Sequence, residues 1–98
     1  MPYALVFVHD HPQRDTFPQQ QAFFNERILP MVQAMPGFVA GNWGYDPGPS
    51  RTHSYVVFDT EEHGRALLQH VRDDDGRGNP FGVKLISAAL VQHTMSKP

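Results

Sequence analysis

The stretch Met35–Tyr45, MPGFVAGNWGY, marks the point at which a helix ends and a strand begins. Its Pro-Gly pair favours a turn, because proline fixes φ and glycine tolerates positive φ. The residues that follow form an apolar extended run, which two glycines open around Asn42 and Trp43, the only tryptophan of the chain. If the protein has a pocket, we expect this strand to line it.

The elements on either side of this stretch follow from hydrophobic periodicity. The strands are predicted at Tyr3–His9, Phe38–Asp46, His53–Phe58 and Val83–His93, and the helices at Phe17–Met35 and from Asp59 or Thr60 to about Arg72. Pro30 lies inside the first helix and predicts a kink or a split there, because proline removes a hydrogen bond. Acids and glycines predict a loop over Asp73–Gly82.

The order β-α-β-β-α-β predicts an α+β, ferredoxin-like fold with a four-stranded antiparallel sheet. Right-handed crossovers place the first and third strands in the middle of that sheet. A length of 98 residues indicates one domain, spanning residues 1–98.

The strands also predict a second copy of the chain. Two helices can cover only one face of a four-stranded sheet, yet the first strand is apolar on both of its faces. The last strand is nearly so, with two opposed sets of apolar residues: Val83, Leu85, Ala89 and Val91 against Ile86, Ala88 and Leu90. Soluble monomers rarely expose such a face, so we expect a homodimer that packs sheet against sheet.

Composition excludes several classes of function. A net charge of −2 and eight scattered basic residues give no reason to expect binding to nucleic acid or to an anionic membrane. The absence of cysteine excludes disulfides, thiolate metal sites and a cysteine nucleophile. The first apolar run, Tyr3–Val8, is too short for a signal peptide or a membrane span, and we expect a cytoplasmic protein.

Two motifs carry a resemblance to a known family. The first is MPGFVAGNW (35–43) after a proline-containing helix, and the second is VVFDTEE (56–62) opening the second helix. Together with the layout, they resemble the dimeric α/β-barrel superfamily, and within it the small antibiotic-biosynthesis-monooxygenase-like proteins. The resemblance implies a ferredoxin-like dimer with a pocket between each sheet and its helices. It also implies an oxidoreductase that oxidises an aromatic compound or quinol without a bound cofactor, with haem binding or degradation as an alternative.

The resemblance further implies a tryptophan and an asparagine at the pocket. By strand alternation, Trp43 shares its face with Val39, Gly41 and Tyr45, whereas Asn42 shares the other face with Phe38, Ala40 and Gly44. Trp43, Tyr45 and Phe24 are the predicted substrate-binding residues, with Trp43 stacking on a planar ring. Asn42 is predicted to orient an oxygen. The alternatives are a core or interface tryptophan and a structural amide hydrogen bond.

The predicted catalytic base is a histidine of the second helix, either His63 or His70. Both lie on the predicted core-facing stripe of the second helix, together with Ala66, Leu67 and Val71. They stand about 10.5 Å apart along the axis by the helical rise, too far to share a metal ion. Either one would remove the proton of a phenol or, in the alternative, ligate haem. Core-edge histidines or a binding protein without turnover would explain the same pattern.

Three further histidines define a candidate metal cluster. His9 and His11 end the first strand, and antiparallel pairing brings the start of the third strand, with His53, beside them. Such a cluster suits zinc, nickel or iron, or proton transfer near neutral pH. The alternative is a set of partly exposed histidines at a loop edge, and we expect no bound metal.

Overall fold

The computed structural model describes residues 1–74 and 79–97 and has the predicted order of elements. The strands are β1 (Tyr3–Asp10), β2 (Phe38–Asp46), β3 (Arg51–Phe58) and β4 (Lys84–Gln92). The helices are α1 (Phe17–Phe23), α2 (Leu29–Gln33) and α3 (Glu61–Asp74), with a 3₁₀ turn at Arg14–Thr16. All paired strands are antiparallel, in the order β2-β3-β1-β4, which confirms the ferredoxin-like α+β fold with the first and third strands in the middle. Helix α3 continues two residues past its predicted end, and residues 75–78 of the predicted loop lie outside the described residues.

A π-helical turn, Phe24–Ile28, joins α1 to α2. The backbone N–H of Leu29 donates to the carbonyl of Phe24, five residues earlier. Pro30 comes next, and it has no N–H and conflicts with a carbonyl four residues before it in a regular α-helix. The predicted interruption at Pro30 therefore takes the form of a wider helical turn directly before the proline.

A bulge in β2 decides which side chains face the helices. Phe38 pairs with Phe58 and Ala40 pairs with Val57, which leaves Val39 as an extra residue. Phe38 therefore lies on the same face as Trp43, and the exposed Val39 does not. The predicted faces of Phe38 and Val39 are therefore wrong, because strict alternation of side chains along a strand takes no account of a one-residue bulge.

A second bulge lies in β4. Val8 pairs with Ser87 and His9 pairs with Leu85, so that Ile86 is the extra residue. Leu85 packs against the core, whereas the Ile86 side chain is 47% exposed. The prediction that Leu85 opposes Ala88 and Leu90 is wrong for the same reason, since all three pack against the core.

The core lies between the sheet and the helices. Leu5, Val56 and Phe58 of the central strands are completely buried and pack against the helical layer. The buried residues of α3 are Gly64, Leu67, Leu68 and Val71. Ala66 and His70 are exposed, so the predicted stripe is rotated by part of a turn from the buried one. Among the described residues, no helix combines the length and the apolar character needed to cross a membrane.

None of the helices in residues 1–74 and 79–97 covers the other face of the sheet. It carries the exposed side chains of Val6 and Val91, 37% and 38% accessible, and the bulged Ile86. Exposed polar residues are interspersed with them, including Asn42 and His53. This face is apolar but less uniformly so than strand periodicity alone indicates.

The segment before α3 is tied to the turn before β2 by a close contact. The Asp59 N–H donates to the carbonyl of Gly37 at 2.9 Å, and Asp59 Oδ1 lies 2.6 Å from His63 Nδ1. Gly37 has φ of +81°, and a Cβ there would collide with both side chains. The hydrogen bond from His63 is the main reason that the pKa of Asp59 lies below its ordinary value of 3.8.

We predict that Asp59→Asn lowers the melting temperature above about pH 4 and that its effect disappears in stronger acid. A carboxyl group whose pKa is depressed by folding stabilises the fold above its unfolded pKa, and this stabilisation is lost as the pH falls through the lower folded value. Thermal unfolding of both proteins across this range measures the effect. Glu62→Gln, at an exposed acid one helical turn away, is the control and should show little difference. An effect of Asp59→Asn that is constant down to the most acidic pH would contradict the prediction.

Candidate functional site

A cavity of about 200 Å³ lies between the sheet and the helices. Strands β1, β2 and β3 form its floor, while α1, the π-helical turn, α2 and α3 form its walls. Its surface is mostly apolar, with polar groups gathered at the end of β1 and along α3. The apolar residues that line it include Phe7, Phe24, Ile28, Met31, Trp43 and Val71.

Two pairs of aromatic side chains shape the cavity. Phe24 and Trp43 meet edge to face, with ring centroids 5.2 Å apart, and Phe17 stacks on Tyr45 with centroids 3.7 Å apart. The Trp43 indole lies over Gly41, where a Cβ would collide with the ring. The missing side chain of Gly41 therefore allows the indole to lie against its own strand.

The wide turn before Pro30 supplies one wall. Phe24 and Ile28 are the first and last residues of the π-helical turn, and both line the cavity. Pro30 itself is exposed. The proline thus affects the cavity through the backbone before it, and π-helical turns occur frequently at functional sites.

A hydrogen-bonded cluster occupies the end of the cavity near β1. His11 Nδ1 lies 2.5 Å from Gln20 Oε1, and His11 Nε2 lies 2.5 Å from Thr52 Oγ1. Gln20 is only 3% exposed, and its Nε2 donates to the carbonyl of Gln13 and to Thr16 Oγ1, each at 3.0 Å. The imidazole of His11 is therefore fixed from both of its nitrogens.

The loop between β2 and β3 strengthens this cluster. Ser50 is 1% exposed, and its hydroxyl donates to the carbonyl of His11 at 2.8 Å. The N–H of His11 donates in turn to the carbonyl of Ser50 at 2.9 Å. Tyr45 Oη lies 2.7 Å from Ser50 Oγ, which joins the aromatic wall to the cluster.

His70 lines the cavity from α3 and is exposed to solvent. Its ring has no hydrogen-bond partner within residues 1–74 and 79–97. Asp74, one helical turn later, also lines the cavity. The His70 imidazole is thus accessible both to the cavity and to water.

The structure brings together four of the six predicted catalytic and substrate-binding residues. Trp43, Tyr45, Phe24 and His70 all line the cavity. Asn42 does not line it, because it pairs with Tyr55 and lies on the uncovered face of the sheet.

His63 also lies outside the cavity lining, in the first turns of α3, where it is bonded to Asp59. His9 and His11 line the cavity, whereas His53 pairs with Val8 and is exposed on the opposite face. The described residues contain no group of three side chains that could hold a metal ion. The three histidines of the candidate metal cluster therefore do not converge.

Gln20 and Thr52 are site residues that sequence reasoning missed. Gln20 stands in a run of three glutamines and resembles a solvent-exposed residue. Helical spacing nevertheless places it three residues after Phe17 and four before Phe24, on the stripe that faces the cavity. That spacing could have identified Gln20 as a residue of the cavity wall, whereas nothing in the sequence singles out Thr52.

No family model matches the sequence, and no curated protein matches it. Solved structures do match over most of the chain. They include the monooxygenase ActVA-Orf6 of Streptomyces coelicolor with nanaomycin D, at 10% identity over 98% of this chain and 90% of that one, with a TM-score of 0.66. The haem degrader MhuD of Mycobacterium tuberculosis, with two haems in its active site, matches at 18% identity over 98% and 99%, also with a TM-score of 0.66. A dimeric ferredoxin-like protein from an uncultured marine organism matches at 11% identity over 99% and 100%, with a TM-score of 0.65.

The chain has the fold of the antibiotic-biosynthesis-monooxygenase-like proteins. The predicted resemblance to this group is confirmed at the level of the fold. At such identities the likeness concerns the fold alone, and activity has to be argued from the cavity.

We predict that Gly41→Ala destabilises the protein by about 1–3 kcal/mol, because the added methyl group displaces the Trp43 indole in a packed wall. Its matched control is Gly44→Ala in the same strand, where a Cβ would meet nothing within 4 Å. The control should change stability by no more than about 0.5 kcal/mol. Urea unfolding followed by the fluorescence of the only tryptophan measures both variants. Equal stability of the two variants would show that the indole does not depend on Gly41.

Proposed function

We propose that the protein binds a single-ring phenol or hydroquinone in the cavity and oxygenates it with molecular oxygen, without a bound cofactor. The observation that carries this proposal is the cavity itself, with aromatic side chains on its walls and imidazoles at its polar margins. Trp43 and Phe24 offer apolar faces to a planar ring. The monooxygenase ActVA-Orf6 has the same fold, which supports the assignment.

The size of the cavity selects the substrate class. A cavity of about 150 Å³ holds one benzene molecule in a protein core. The 200 Å³ found here therefore suits one ring with small substituents. Haem is several times larger than such a ring, so the residues around the cavity do not fit it.

The proposed reaction needs no reductant other than the substrate. One hydroquinone and one O₂ give one hydroxyquinone and one water. The substrate first loses a proton, and the resulting anion transfers an electron to O₂. The two radicals join in a carbon–oxygen bond, giving a hydroperoxide at a ring carbon. Loss of water from this hydroperoxide leaves one oxygen atom of O₂ on the product.

In this scheme, His70 is the base at the open side of the cavity, and Trp43, Tyr45 and Phe24 bind the ring. An aligned base typically contributes about 10²–10⁴-fold to a rate. His70 has the access that the role requires, since it lines the cavity and is exposed. Asn42 and His63 lie outside the lining, so we leave them out of the proposed site.

We predict that hydroquinone and methylhydroquinone are consumed with oxygen faster than in protein-free buffer, and that three-ring anthrones are not. Incorporation of one labelled atom from isotopic O₂ into the product identifies a monooxygenation. His70→Gln should lower the turnover number by about 10²–10⁴-fold, while His63→Gln leaves it unchanged. A loss with His63→Gln alone would transfer the role of base to His63. Hydroquinone binding without oxygen consumption would instead support a binding protein without turnover.

We also propose that two copies of the chain pack through their uncovered sheet faces. The exposed Val6 lies on a central strand of that face, with Val91 on a neighbouring strand. A second copy would remove these side chains from water, which favours association. The dimeric ferredoxin-like protein with the same fold supports this proposal.

We predict a solution mass of twice the 11.1 kDa of one chain by light scattering. Val6→Glu places a charge at the centre of the face and should shift the protein towards monomer. Ala66→Glu, on the exposed side of α3, is the matched control and should leave the mass unchanged. A monomeric wild-type protein at micromolar concentration would contradict the dimer but not the cavity.

A further inference from the structure

The hydrogen bonds at the polar end of the cavity determine the positions of the protons on Gln20, His11, Thr52 and Tyr45. Gln20 Nε2 lies 3.0 Å from two acceptors, the carbonyl of Gln13 and Thr16 Oγ1. Thr16 Oγ1 can only accept this bond, because its own proton goes to the carbonyl of Gln13 at 2.7 Å. The amide nitrogen of Gln20 must therefore face these two groups, and its Oε1 must face His11.

The orientation of Gln20 fixes the tautomer of His11. Gln20 Oε1 accepts hydrogen bonds and cannot donate them, so His11 Nδ1 carries a proton. A neutral imidazole has only one N–H, which leaves a lone pair on His11 Nε2. Thr52 Oγ1, at 2.5 Å, then donates its proton to that lone pair.

The Tyr45 hydroxyl at this end also donates its proton to a protein acceptor. Ser50 donates to the carbonyl of His11, so the hydrogen bond between Tyr45 and Ser50 uses the Tyr45 proton. Thr52 and Tyr45 both line the cavity, and the hydroxyl group of each donates its hydrogen bond to another side chain of the protein. The two hydroxyl oxygens still have lone pairs that can accept a hydrogen bond from a ligand. Such an end favours a ligand that donates a hydrogen bond.

We infer that Thr52 receives the hydroxyl of the ligand and relays its proton to His11. This inference rests on the proposed function and names the group that the substrate must carry. The ligand O–H donates to Thr52 Oγ1, and as its proton transfers, the Thr52 proton moves to His11 Nε2. One ligand O–H bond breaks and one N–H bond forms, which leaves a phenolate, an intact Thr52 hydroxyl and an imidazolium. Thr52 contacts the substrate, while His11 acts through Thr52.

The surroundings of His11 suit the charged product of this relay. Gln20 Oε1 accepts from Nδ1 in both protonation states, and Thr52 Oγ1 accepts from Nε2 once the proton has arrived. The rings of Phe17 and Tyr45 meet the imidazole edge to face, with centroids 6.2 Å and 6.3 Å away. No reorganisation of Gln20 is needed, because the amide already has the orientation that an imidazolium requires. His11 is thus a positioned proton acceptor for the hydroxyl bound at the inner end, whereas His70 on α3 serves the hydroxyl at the open side of the cavity.

The first measurement needs no ligand. Long-range ¹H–¹⁵N NMR of the histidine side chains should show the proton of His11 on Nδ1 and a lone pair on Nε2. Gln20→Met removes the acceptor that selects this tautomer and should shift the equilibrium towards the Nε2–H form. A wild-type His11 with its proton on Nε2 would overturn the relay.

The second measurement uses two ligands of matched size, 4-methylphenol and 4-fluorotoluene, with quenching of Trp43 fluorescence as the readout. The wild-type protein should prefer the phenol about tenfold, the value of one hydrogen bond. Thr52→Val should lose this preference and still bind 4-fluorotoluene. Ser54→Ala removes another hydroxyl from the cavity lining of the same strand and should keep the preference.

A third measurement separates proton transfer from simple hydrogen bonding. Bound 4-nitrophenol should show the visible band of its phenolate in the wild-type protein. His11→Gln should still bind 4-nitrophenol through Thr52 but should show less of this band. If neither 4-methylphenol nor 4-fluorotoluene binds, the proposed function fails, and this inference fails with it. If both bind equally, or if Ser54→Ala alone removes the preference, only the inference fails.

Discussion

The structure depends on one geometric constraint: two helical segments can shield only one face of a four-stranded sheet. On the shielded face, Leu5, Val56 and Phe58 are buried against α3 and the helical layer of α1 and α2. Burial of such side chains supplies most of the stabilisation of a chain of this size. The other face keeps exposed valine side chains, and no helix of the described part of the chain covers it. Core, cavity and uncovered face are three consequences of the same arrangement.

The cavity lies where the helical layer does not close completely over the sheet. The wide turn before Pro30 places Phe24 and Ile28 at its margin, and the missing side chain of Gly41 lets Trp43 lie against the strand. Both features interrupt regular secondary structure, and a π turn and a glycine within a strand each reduce the stability of the element that contains them. They keep a space between two layers that would otherwise pack together. Its polar end is rigid, because Gln20 and Ser50 are both buried and hydrogen-bonded.

The sequence contained enough information for the order of the elements and for much of the cavity wall. Periodicity located the strands, and the glycines beside Trp43 indicated a strand that lines a pocket. The faces of β2 and β4 were partly misassigned, because a single extra residue at Val39 or Ile86 reverses the alternation and has no distinctive composition. The cluster around His11 could not be predicted, since it joins residues nine and 41 positions away. Such contacts depend on register and helix rotation together, and an error of one residue in either removes them.

The two bulges have a consequence for how the protein avoids unwanted assembly. They lie in β2 and β4, the two outer strands of the sheet, while the central strands carry no extra residue. An outer strand exposes unpaired backbone groups that can recruit a strand from another chain, and a bulge interrupts the regular ladder that such recruitment needs. The irregularities that redirect Leu85 and Phe38 towards the core therefore also discourage the sheet from growing sideways into fibrils. Two copies can still associate through the uncovered face of the sheet, while the bulges hinder association through either edge strand.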